Sequence, residues 1–90
     1  MPYAATKGAV ETFTRGLATE VASEGIRVNA VAPGMIATEA TPAELQASVA
    51  AASPMRRMGL PAEIAEAVAW LMSPASAYVT GTVIAVSGGR

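Results

Sequence analysis

Tyr3 and Lys7 stand four residues apart near the start of the chain, with Ala4, Ala5 and Thr6 between them. On a helix that spacing stacks the two side chains on one face, one turn from each other. An ammonium near a phenol stabilises the phenolate, lowers the tyrosine pKa and moves a weak acid toward the range where it exchanges protons. The two alanines keep the surface low enough for a flat ligand to lie close. The same spacing also suits a packed ring beside a solvated charge, so the pair needs support from the rest of the chain.

Few other groups compete for a chemical role. The 90 residues contain no Cys, no His and no Asp, which removes disulfides, thiol nucleophiles, the usual zinc sites and every Ser-His-Asp arrangement. No metal site is expected. Two tyrosines, seven glutamates, five arginines, several hydroxyls and a single lysine remain, and that lysine lies beside the first tyrosine. The net charge of −1 offers no electrostatic case for nucleic acid or an anionic membrane. No apolar run approaches the roughly 20 residues that span a bilayer. The N-terminus lacks the basic-then-apolar pattern of a secretory signal, so a soluble cytoplasmic protein is the expectation. The length suggests one domain with a modest core. The hydrophobic fraction is 52%, but 21 of those residues are alanines of small volume.

The elements that must position the pair follow in order. A helix is expected from Tyr3 to about Glu24, with Val10, Phe13, Leu17 and Val21 on one stripe and Glu11 and Arg15 as an i,i+4 pair. Its small residues Ala9, Gly16 and Ala18 could admit a second helix at a subunit interface. Gly25 is a natural stop. The run Ile26-Arg27-Val28-Asn29-Ala30-Val31-Ala32 reads as a strand, and Pro33-Gly34 ends it. In open parallel sheets ligands bind just past the carboxyl ends of strands, which is where residues 33–38 fall. There Pro33 fixes the exit and Gly34 lets a ligand approach without a Cβ in the way, unless the dipeptide is an ordinary turn. Thr41-Pro42-Ala43-Glu44 reads as a capping box with proline at the first helical position, opening a short helix with Leu45 and Val49 on a thin apolar side. Residues 39–57 suit either a mobile lid or a plain surface loop. Pro61 opens a further helix with Ile64, Val68, Leu71 and Met72 as its buried stripe and Trp70 alongside. Residues 82–86 form a second strand, parallel to the first through a right-handed crossover.

Together these segments resemble the C-terminal part of a short-chain dehydrogenase/reductase, close to the 3-oxoacyl-carrier-protein reductase branch. The resemblance rests on Tyr3-Ala4-Ala5-Thr6-Lys7, on residues 25–34 with Thr38, on Arg57-Met58-Gly59-Leu60-Pro61 with Glu63-Ile64-Ala65, on Tyr78-Val79-Thr80-Gly81, and on Val86-Ser87-Gly88-Gly89. It implies an α/β fold, the C-terminal portion of a Rossmann-type parallel sheet, ordered helix, strand, short helix, helix, strand. It also implies that Tyr3 is the general acid/base and that Lys7 binds the nicotinamide ribose and lowers the tyrosine pKa. Pro33, Gly34, Ile36 and Thr38 would then line an NAD or NADP cofactor, and residues 39–57 would form the substrate loop.

The resemblance implies an enzyme that acts on a small-molecule carbonyl or alcohol and assembles as a homo-oligomer. The Gly-rich dinucleotide turn that normally precedes the tyrosine is absent from these residues. Residues 1–90 are therefore expected to be a C-terminal fragment of a single Rossmann-type domain, carrying half of an active site and inactive alone. Two other readings stay open: a non-enzymatic α/β module that self-associates through its Ala-rich helices, and a subunit completed by a separate N-terminal partner.

Overall fold

The computed structural model describes residues 2–89, with side chains from residue 5 to residue 89. Helix α1 spans Pro2–Val21 and tightens into a 3-10 turn at Ala22–Glu24. Gly25 stops it in the left-handed conformation, at φ 77°, with its N–H bonded to the Ala22 carbonyl. Then come strand β1 (Ala30–Pro33), helix α2 (Ala43–Ala52), helix α3 (Pro61–Leu71), a 3-10 turn at Pro74–Ser76 and strand β2 (Val83–Val86). The strands pair in parallel, Ala30 opposite Val83 and Pro33 opposite Val86. Helices α1 and α3 both pack on β1, and α3 also packs on β2. This is an α/β arrangement, a partial Rossmann-type region in which helices cover a small parallel sheet.

The first strand is shorter and later than residues 26–32. Side chains make most of the cross-connections over residues 27–29. Thr80 Oγ1 accepts the Val28 N–H at 3.1 Å, and Asn29 both donates to the Val79 carbonyl and accepts from the Thr82 N–H. Arg27 reaches the carbonyls of Leu71 and Val79 at 2.7 and 3.0 Å. One backbone bond comes before the strand, from the Gly81 N–H to the Val28 carbonyl at 2.8 Å, and the regular ladder begins where the Ala30 N–H meets the Thr82 carbonyl. Pro33 stays within the strand as its last residue rather than starting a turn.

Packing also departs from the expected stripes. Helix α1 turns Thr14 and Ala18 inward, at 4% and 2% exposure, while Phe13 is 68% exposed and Val10 lies outside with it. Leu17 and Val21 are half-buried. Small residues face inward because the helix lies close to the turn before β2, where the Ala18 methyl sits 3.4 Å from the position a Cβ on Gly81 would take. The buried Thr14 hydroxyl is satisfied by donating to the Val10 carbonyl at 2.7 Å. In α3 only Leu71 is buried; Val68, Trp70 and Met72 are exposed. Ser76, fully buried, holds the end of that helix, its hydroxyl within 2.9 Å of the Trp70 and Leu71 carbonyls. Thr41 does not cap α2. The N-cap is Pro42, and the Thr41 hydroxyl instead accepts the Thr38 N–H at 3.0 Å.

Candidate active site

The carboxyl ends of the two strands open on a cleft of about 510 Å³, with Lys7, Pro33, Gly34, Met35, Ala85 and Ser87 in its walls. Lys7 comes from the first turns of α1, Pro33 and Gly34 from the end of β1, and Ser87 from the end of β2. Three of the sequence-derived residues, Lys7, Pro33 and Gly34, thus share one space although up to 27 positions separate them. Tyr3 belongs to α1, one turn before Lys7, but its side chain lies outside the described residues. Lys7 is exposed, so its ammonium is open to a ligand.

Gly34 also answers a structural requirement, apart from any ligand. A Cβ there would lie 2.8 Å from Ser87 Cα, and the Gly34 N–H bonds to the Val86 carbonyl at 3.0 Å. The backbones leaving the two strands touch at this point, and only hydrogen fits between them.

Ile36 lines an adjoining cleft of about 370 Å³, which shares Met35, Ala85 and Ser87 with the first and continues past Met55 to the Arg57–Glu63 pair. Thr38 lines neither cleft. Its backbone and hydroxyl are engaged with Thr41.

Two features of the site carry no periodic signal in the sequence. Arg57 and Glu63 form a two-pronged ion pair with both N···O distances at 2.7 Å. The Arg57 guanidinium, helped by the Leu60 N–H, holds the Glu63 carboxyl at about 2, well below its ordinary 4.5, and Glu63 raises Arg57 in turn. The loop at residues 53–55 packs on the chain after β2. Met55 N–H bonds to the Gly88 carbonyl, and a Cβ on Gly89 would lie 3.1 Å from Pro54 Cβ. Both glycines are left-handed, at φ 67° and 98°. The Gly88-Gly89 dipeptide signals a turn after β2 but does not name its partner. No His, Asp or Cys exists to form a metal centre, and no cluster of acidic side chains gathers among the described residues.

The profile of the family described as enoyl-(acyl carrier protein) reductase matches residues 1–90. The galactitol 2-dehydrogenase (L-tagatose-forming) of Cereibacter sphaeroides is 51% identical over 97% of this chain and 36% of its own length. The 3-oxoacyl-[acyl-carrier-protein] reductase of Vibrio cholerae is 50% identical over 97% of this chain and 37% of its own. A crystal structure of a 3-oxoacyl-[acyl-carrier protein] reductase from Brucella melitensis with bound NAD superposes at a TM-score of 0.82. It is 49% identical, and the match covers 97% of this chain and 32% of that one. The chain spans about a third of the length of the relatives it matches.

Proposed function

The chain belongs to the short-chain dehydrogenase/reductase family, and on that premise we propose that it carries the Tyr3–Lys7 half of the active site of a nicotinamide-dependent oxidoreductase. Lys7 meeting Pro33 and Gly34 at the carboxyl ends of parallel strands is the observation that supports this most. The residues present fit such a cofactor: an open cleft, an exposed cation and close backbone at the strand ends, in a chain whose structural neighbour holds NAD.

A nicotinamide dinucleotide supplies the hydride, given or taken, when bound. The Tyr3 hydroxyl gives its proton to the substrate's carbonyl oxygen during reduction, leaving the phenolate, and the phenolate takes the proton of the alcohol during oxidation. Lys7 keeps the phenolate accessible through its positive charge and binds the ribose hydroxyls. Pro33 and Gly34 form one wall, Ile36 continues into the adjoining cleft with Thr38 beyond it, and residues 39–57, including α2, cover the substrate. The substrate is a small-molecule carbonyl or alcohol. We further infer that residues 1–90 act as the C-terminal part of one Rossmann-type domain, in a cytoplasmic homo-oligomer.

The 90 residues hold no Gly-rich turn for the pyrophosphate, so turnover requires the remainder of such a domain. Replacing the matched segment of the Vibrio cholerae reductase by these residues tests the reading. The hybrid is expected to reduce a 3-oxoacyl thioester with a nicotinamide cofactor, and the 90-residue chain alone to show no turnover. A folded hybrid that binds cofactor without turnover contradicts the assignment. Cofactor-dependent turnover by the 90 residues alone contradicts the division of the site.

A further inference from the structure

The Arg57–Glu63 pair sits where three segments meet. Glu63 also accepts the Leu60 N–H at 2.9 Å, and Arg57 also donates to the Met58 carbonyl at 3.2 Å. These bonds fix residues 57–60 against the first turn of α3. On its other side Gly59 pairs with the chain leaving β1: its N–H bonds to the Met35 carbonyl at 3.0 Å, and its carbonyl accepts the Ala37 N–H at 2.9 Å. Contact there is close, since a Cβ on Gly59 would lie 2.8 Å from Ile36 Cδ1. Among the described residues, these two bonds are the backbone hydrogen bonds that hold residues 35–37. An exposed ion pair contributes little in general, but a two-pronged guanidinium–carboxylate pair with further bonds on both partners fixes geometry.

We propose that Arg57 and Glu63 are positioning residues: their ion pair clamps Gly59, and Gly59 sets the place of residues 35–37, which bring Met35 to the wall of the candidate cofactor cleft and Ile36 to the adjoining one. The significance for catalysis rests on the functional reading above; the clamp itself does not. Neither residue touches the Lys7 cleft directly.

Amide hydrogen exchange on the folded hybrid reductase tests the clamp. Glu63→Gln keeps an oxygen for the Leu60 N–H but removes the charge that Arg57 grips. It is expected to speed exchange at Ala37 and Gly59 by about tenfold. Gly34, whose N–H lies in the strand ladder with Val86, should change less than about twofold. Arg57→Gln should match it, and the double variant should exchange no faster than either single one, because one interaction is lost in all three. Arg57→Lys, which keeps charge without the fork, should fall between. The proposal is overturned by unaltered exchange at Ala37 and Gly59, by equal acceleration at Gly34, by additive effects in the double variant, or by unprotected Ala37 and Gly59 amides in the parent. NADH titrated into the hybrid reductase gives a separate readout: Glu63→Gln should weaken its binding severalfold. If the parent hybrid binds no NADH, the functional reading fails, while the exchange result still decides the clamp.

Discussion

Gly34 shows how one residue type can be foreseen while one of its causes is not. A Pro-Gly after a strand marks a place where backbone must come close to something, and a ligand is the natural candidate. In the structure the neighbour is Ser87, at 2.8 Å from the missing Cβ, so the glycine joins the ends of the two strands that form the cleft. Gly34→Ala forces backbone apart on both sides and is expected to cost about 1–3 kcal/mol, as overpacking does. Urea unfolding of the variant measures this; an unchanged midpoint would show that the strand ends separate freely. Lys7 was foreseeable because helical spacing and its isolation as the single lysine drew attention to it. The partnership of Arg57 and Glu63 was not, because the five residues between them include Gly59 and Pro61 and read as neither one continuous helix nor one continuous strand. Their partnership depends on the turn that folds Arg57 back onto α3.

At the scale of elements, three helices and two parallel strands were legible in the periodicity and the Gly and Pro punctuation. Their faces were less so. In α1 the spacing of three and four pointed to Val10, Phe13, Leu17 and Val21, yet close packing on the turn at Gly81 buries Thr14 and Ala18 and leaves Val10 and Phe13 exposed. In residues 26–29 β-branched side chains suggested a strand, but Arg27, Asn29 and Thr80 supplied side-chain bonds that a ladder would otherwise make. Strand β1 pairs with β2 along one edge, and the sheet has two strands among the described residues. Parallel sheets are stable when larger and covered on both faces, and an open apolar edge invites pairing with another chain. Phe13, Ile26, Trp70, Met72 and Tyr78 are also exposed. The 90 residues alone are therefore expected to associate, or to be partly molten, in sedimentation experiments. A monodisperse monomer with strongly protected amides in both strands would contradict this.

At the scale of the molecule, the candidate site exists because the parallel pairing brings both strand ends beside the start of α1. That convergence was inferable from the strand–crossover–strand order, since ligand sites of open α/β sheets gather at the carboxyl ends. How the loop at residues 53–55 locks onto Gly88 and Gly89 was not inferable, because it depends on left-handed backbone at two consecutive glycines. The central claim is that Tyr3 moves the proton while its neighbours hold the cofactor. Tyr3→Phe in the hybrid reductase tests it most directly, with turnover and cofactor affinity measured on the same protein. Loss of a positioned general acid predicts a fall in turnover on the order of 10²–10⁴-fold, with cofactor binding nearly unchanged. A Phe variant that keeps near-parental turnover would contradict the account.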